Sequence, residues 1–171
     1  MAVIEVRVDD LAFYEGEAIV RPVNALLGAM TPVMRRLEVA AGTTFSDKVR
    51  LAEPMPVGSA VVTGAGELPV ELLIHGVVSS DDEAVSRGSV RNALVSALHR
   101  AVAFQIREVA IAPFGLGAGN LDIEDSADVM VQVLAEHLKR SSYPQAVIFV
   151  AETELEAEVL RSRVTSAGGS A

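Results

Sequence analysis

Cysteine and tryptophan are absent from the 171 residues, and aromatic side chains make up only 4%. Without cysteine there is no disulfide, no thiolate nucleophile and no cysteine-ligated metal. Positive charge is scarce as well: 14 Lys and Arg stand against 23 Asp and Glu, a formal net charge of −9. A surface of that sign repels polyanions, which argues against DNA or RNA as a partner. A small anion can still be held at close range by backbone amides. No apolar run approaches the length of a membrane span, and Met1-Ala2-Val3-Ile4-Glu5-Val6-Arg7-Val8 lacks the charged-then-apolar pattern of a signal peptide. The expectation is a soluble, cytoplasmic protein with no membrane partner.

What is present is a core. Hydrophobic residues make up 50% of the chain and the mean hydropathy is +0.37, so the body of the sequence is not disordered. Val, Ala and Leu dominate, a balance that suits alternating strands and helices. Apolar and charged residues alternate from Val3 to Val8, predicting an edge strand. A short strand follows at Ala18 to Val23, where Pro22 is expected to end the pairing. Thr31-Pro32 reads as a helix start, with the helix running to Gly42 and a second, short one from Phe45 to Leu51. Strands are predicted at Gly58 to Gly64 and Val70 to Val78, joined as a hairpin, then a helix from Ser86 to Phe104. The run Val109 to Pro113 has the continuous apolarity of a central strand. Asp122 is expected to cap the next helix, with Asp125 in an acidic variant of the capping box. A last strand at Ala146 to Val150 and a last helix at Glu152 to Arg163 complete the chain. Residues 1–164 are expected to form one domain and residues 165–171 a flexible tail.

Between the central strand and its helix lies Pro113-Phe114-Gly115-Leu116-Gly117-Ala118-Gly119-Asn120. Three alternating glycines leave backbone N–H groups unshielded, and the following helix adds its own unpaired donors, which together suit a phosphate or diphosphate. The spacing is neither the dinucleotide fingerprint, which needs a glycine where Asn120 stands, nor a P-loop.

Three segments in register resemble the macro domain family of ADP-ribose-binding modules. Asp9-Asp10-Leu11-Ala12, then Gly16-Glu17-Ala18-Ile19-Val20-Arg21-Pro22-Val23-Asn24 and Ala40-Ala41-Gly42, are similar to the family's "GDIT", "G-D-A-I-V-N-A-A-N" and "A-A-G". Pro56-Val57-Gly58-Ser59-Ala60-Val61-Val62-Thr63 with Leu68-Pro69 and Ile74-His75 resembles "G-x-A-x-x-T … L-P-A-x-x-V-I-H". Ile111 to Gly119 resembles "A-F-P-A-L-G-T-G-x-G-G". The resemblance implies a three-layer α/β/α fold around a mixed, mostly parallel sheet of about six strands. It also implies a small nucleotide partner, ADP-ribose or a relative, with no cofactor and no metal. Carried over by position, Asp10 accepts a hydrogen bond from the adenine amino group and Leu11 offers its backbone N–H to the adenine edge. Asn24 meets the distal ribose, and Gly115 to Gly119 wrap the diphosphate. The candidate ligand-binding set is therefore Asp10, Leu11, Asn24, Thr31, Val33, Phe114, Gly115, Leu116, Gly117, Ala118 and Gly119, with Asn24 the one catalytic candidate.

Departures from the pattern bear on catalysis. Arg21 replaces the first asparagine of "N-A-A-N", and Ala29-Met30-Thr31-Pro32 replaces the glycine run. Met34 stands where many hydrolytic members carry an acid, and Glu38 where they carry a histidine. Several residues also have a plainer reading. Asp10 also suits a cap, Asn24 a turn, Thr31 a helix cap, Arg21 a salt bridge and Glu38 a solvated helix position. His75 reads as a satisfied core histidine, and His99 and His137 as surface residues without partners at metal spacing. Three functions follow: a nucleotide-binding module with little or no catalysis, a hydrolase of ADP-ribosyl or O-acyl-ADP-ribose groups, and a scaffold with a decayed pocket. In the last, Met30, Met34, Phe114 and Leu116 form an apolar rim for self-association or partner binding.

Overall fold

The computed structural model describes residues 2–168. Six strands alternate with five helices: β1 (Val3–Val8), β2 (Gly16–Asn24), α1 (Pro32–Ala41), α2 (Phe45–Val49), β3 (Ala60–Gly64), β4 (Val70–Ser79), α3 (Arg87–Ala103), β5 (Glu108–Ile111), α4 (Ile123–Arg140), β6 (Ala146–Ala151) and α5 (Glu154–Ser166). A 3-10 turn, Leu11–Phe13, sits between β1 and β2. The sheet order is β1-β6-β5-β2-β4-β3, with every pair parallel except the β3–β4 hairpin. The mixed, mostly parallel six-stranded sheet is the one expected, and β1 lies at its edge.

Strand alternation sorts the side chains into two cores. Ala18, Val20, Ile74, Val109, Ile111, Val147 and Phe149 face α3, α4 and α5, whose Leu94, Leu98, Met130, Leu134 and Leu160 cover them. Ile19, Leu73, Ala110 and Ile148 face the opposite way, towards Leu11, Met34, Leu37 and Phe45 from the 3-10 turn, α1 and α2. Three layers result, because the central strands are apolar on both faces.

Pro22 corrects one expectation. Pairing of β2 with β4 continues past it to Asn24. The reason is directional. The Val20 carbonyl points towards β5, where it accepts the Ala112 amide at 3.3 Å. Pro22, two residues on, turns its nitrogen to that same side, and β5 pairing has already ended at the Val20–Ile111 pair. The missing N–H therefore interrupts no ladder.

Helix starts match their caps more closely than their exact ends. Thr31 Oγ1 accepts the Met34 amide at 3.3 Å, and Ser86 and Ser89 form a reciprocal capping box. Asp122 Oδ1 accepts the Asp125 amide at 2.8 Å, but the Asp125 carboxylate pairs with Arg87 at 2.5 Å, so no acidic capping box forms. The last helix begins at Glu154, because Thr153 supplies its cap, and it runs to Ser166; residues 169–171 of the expected tail lie outside the described residues. Among the described residues no helix is long and apolar enough to cross a membrane.

Candidate functional site

Five parallel strands end on one side of the sheet, and a cleft of about 730 Å³ opens there. The carboxyl ends of such strands are where open α/β sheets leave room for ligands. After β1 come Asp9, Asp10 and Leu11; β2 contributes Pro22 and β4 Val78; Ala112, Pro113, Gly115, Leu116, Gly117 and Ala118 follow β5; Val150 and Glu152 close β6, with Glu156 from α5. Met30, Thr31 and the first turns of α1 form the facing wall.

The glycine loop keeps the shape its composition suggests. Gly115 and Gly117 have φ of +79° and +131°, conformations that L side chains rarely adopt. Its carbonyls are used internally: Leu121 N–H donates to Gly115 O and Asn120 N–H to Gly117 O, each at 3.0 Å. Among the described residues, the amides of Leu116, Gly117 and Ala118 donate to nothing in the chain. Across the cleft, Thr31 caps α1 and Pro32 occupies its first position, so Val33 N–H is an early helix donor with no intrahelical acceptor. A diphosphate between these two walls would meet amides and a helix N-terminus together.

Acid and base are distributed unevenly. Asp9, Asp10, Glu152 and Glu156 gather at the β1–β6 end, while Arg35 and Arg36 approach from α1. Arg36 forms an ion pair with Glu152, joining α1 to the loop after β6. Among the described residues Glu156 Oε2 is buried without a hydrogen-bond partner, and burial, helped by the neighbouring Glu152, holds its carboxyl above the usual range. Asp10 Oδ1 accepts the Ala12 amide at 2.9 Å, capping the 3-10 turn, while the exposed side chain also borders the cleft. The cap does not exhaust the carboxylate, which keeps further acceptor sites.

Arg21 does not face the cleft. It is fully buried on the α1 side of the sheet, with Nη1 donating to Glu38 Oε1 at 2.7 Å, Nε to His75 Nδ1 at 3.0 Å and Nη2 to Leu27 O at 3.1 Å. Glu38 is accordingly not a solvated helix position; its other oxygen accepts from Ser46 Oγ at 2.9 Å. Thr63 Oγ1 lies 2.7 Å from His75 Nε2, so the histidine is a satisfied core residue. Burial, with the Arg21 charge beside it, pushes the imidazole down to about 3 from its ordinary 6.5. Between those values the unfolded chain binds a proton that the folded chain refuses. Stability contributed here is thus complete above pH 6.5 and lost as pH falls towards 3. We expect the urea midpoint to drop from pH 7 to pH 5, with a slope from this group of up to about 1.4 kcal/mol per pH unit. His75→Asn should flatten that slope; an unchanged slope would contradict the assignment.

Three candidates fall outside the cleft lining. Asn24 Oδ1 accepts the amides of Leu26 and Gly28 at 3.0 and 2.9 Å, so its side chain organises the turn that ends β2. That turn holds Leu27 at φ +65°, a strained conformation for a leucine. Phe114 is fully buried against Gly76, where an added Cβ would stand 2.8 Å from the ring; it belongs to the core and not to an apolar rim. Gly119 is exposed, with nothing within 4 Å of its Cβ position. Met34 is likewise 2% exposed, its side chain in the α1 core even though it borders the cleft. The sequence reading missed Pro22, Val78, Val150, Arg35, Arg36, Glu152 and Glu156.

A second groove of about 550 Å³ runs between α3 and α4, bordered by Arg91, His99, His137 and Arg140. His137 Nε2 lies 2.7 Å from Tyr143 O, and no group of three metal-ligating side chains occurs among the described residues.

Comparison with known proteins points to one family. The model of the Macro domain matches residues 20–130. A protein of Aeropyrum pernix is 29% identical over 153 residues, covering 89% of this chain and 80% of its own length. A Citrobacter koseri protein named O-acetyl-ADP-ribose deacetylase is 29% identical, covering 96% of this chain and 97% of its own. Mycobacterial relatives are longer, and the chain spans 41% of the Mycobacterium tuberculosis one. Among solved structures, the Oceanobacillus iheyensis macrodomain with ADP superposes with a TM-score of 0.85 at 19% identity, covering 95% of this chain and 90% of that one.

Proposed function

We propose that this chain, which belongs to the macro domain family, binds ADP-ribose or a related adenine nucleotide in the cleft at the carboxyl ends of its strands, without turning it over. The observation that carries the proposal is convergence. Asp10, Leu11, Thr31, Val33, Gly115, Leu116, Gly117 and Ala118, chosen from distant parts of the sequence, border one cavity. Asp10 supplies an acceptor for an exocyclic amino group at one end, and the loop amides face the α1 N-terminus in the middle. The Oceanobacillus macrodomain of the same fold, solved with ADP, supports an adenine nucleotide as the ligand class.

Binding without hydrolysis is the better reading because the residues bordering the far end of the cleft, Pro22, Met30 and Val78, carry no acid or base to activate a water. Asn24, the one candidate, lies outside the cleft lining with its Oδ1 accepting two amides of its own turn, and Met34 offers no acid. The deacetylase name of the Citrobacter relative supports the alternative. O-acetyl-ADP-ribose incubated with the protein should release acetate no faster than in buffer; turnover abolished by Asn24→Ala would establish the hydrolase reading instead. An open cleft also argues against a pocket filled by its own side chains.

Thermal unfolding tests the binding claim. Ligand at a hundred times Kd stabilises by about 2.7 kcal/mol, or roughly 5–10 °C in a domain of this size. ADP-ribose or ADP should produce such a rise, and Asp10→Ala should reduce it at equal ligand concentration. No rise with either nucleotide at millimolar concentration would remove the proposal.

A further inference from the structure

The two ends of the cleft differ in chemistry. The β1–β6 end carries the carboxyl groups of Asp9, Asp10, Glu152 and Glu156, of which Glu152 pairs with Arg36. The opposite end, where β2 and β4 stop, is bordered by Pro22, Met30 and Val78, three side chains with no hydrogen-bonding group beyond a thioether.

Ser79, Asn24 and Arg21 lie near that end, but none of them borders the cleft. Ser79 is buried, and its Oγ lies 3.4 Å from Met30 Sδ, to which it donates. Asn24 Oδ1 is engaged by the Leu26 and Gly28 amides. The Arg21 guanidinium is fully buried among Glu38, His75 and Leu27. A sugar placed against Pro22, Met30 and Val78 would bury hydroxyls with nothing to bond, at a cost of about tenfold in affinity for each. A terminal phosphate has a different prospect. It carries more charge than a bridging one, and it would stop at the loop amides, in a cleft that Arg35 also borders; Arg35 pairs with no carboxylate among the described residues.

We infer that the cleft is shaped for an adenine nucleoside diphosphate that ends at its second phosphate, and that Met30 is the residue that excludes a further sugar. This rests on the cleft being a nucleotide site, and it specifies which nucleotide.

Calorimetric titration of the full chain with ADP and with ADP-ribose separates the two claims. The expected result is a Kd for ADP at least tenfold below that for ADP-ribose. Met30→Ala and Met30→Ser should shrink that ratio several-fold, by opening the end and, for serine, by adding a hydroxyl. ADP-ribose binding as tightly as ADP, or more tightly, would overturn the inference while leaving a nucleotide site in place. A ratio unchanged in a folded Met30 variant would overturn the role of Met30. If neither nucleotide binds, the binding proposal itself fails, and this inference with it.

Discussion

Gly117→Val is expected to weaken ADP binding by about 100-fold or more, a loss of about 2.7 kcal/mol, while leaving the protein folded. The residue has φ of +131°, and a Cβ added there would stand 3.1 Å from Asn120 Nδ2 and 3.6 Å from Thr31 Cγ2. Valine therefore cannot keep the backbone where it is. The loop must rotate, and it rotates at the point where it faces the α1 cap across the cleft. Amides of Leu116, Gly117 and Ala118 then no longer converge. Because the loop is exposed here, the cost to stability is local, on the order of 1–2 kcal/mol. Gly119→Val is the control. It also has a positive φ, +79°, yet its Cβ meets nothing and it does not border the cleft. Its effect on affinity should stay within about threefold, or ~0.7 kcal/mol. Calorimetry on both variants checks the contrast, and equal losses would deny the loop a specific role.

Glu38→Ala should cost about 3–5 kcal/mol of folding stability, a large part of the 5–15 kcal/mol typical of a domain. The Arg21 guanidinium is wholly buried, and Glu38 is its one anionic partner among the described residues, at 2.7 Å. Desolvation works against the charged form, and the carboxylate opposes that effect. Without Glu38, only a histidine nitrogen, a backbone carbonyl and the Phe45 ring, 5.9 Å from the guanidinium carbon, remain. Replacing both members by apolar residues, Arg21→Met with Glu38→Leu, should recover most of the loss, because the penalty comes from an unpaired buried charge and not from a missing contact. Denaturant unfolding of the two single variants and the double variant reads the coupling directly. A change under about 0.5 kcal/mol in Glu38→Ala would show that water reaches Arg21 after all.

Much of this molecule was legible in its sequence where the signal is local. Thr31-Pro32, Ser86 and Asp122 marked helix starts, since a cap depends on residues a few positions apart. Continuous apolarity marked β5 as a central strand, and alternation placed β1 near an edge. The glycine loop was visible because its backbone angles demand that residue. What escaped depends on register and strand order. Arg21 stands directly across from His75 in the β2–β4 pair, and Glu38 reaches it from another layer; nothing near Arg21 in the chain announces that partnership. Glu152 and Glu156 reach the Asp10 end only because β6 inserts between β1 and β5. Asn24 fits the family pattern by position, yet its side chain is committed to the turn by two amides that sequence reading cannot orient. Pro22 was misjudged because its effect depends on which neighbour its nitrogen faces.

The central claim is that a diphosphate is held between the glycine loop and the N-terminus of α1. Backbone amide NMR during a titration with ADP tests it residue by residue. The account predicts the largest shifts at Leu116, Gly117, Ala118 and Val33, with further shifts at Leu11 on the adenine side. Shifts confined to the α3–α4 groove around His99 and His137, or none at all at millimolar ADP, would contradict it.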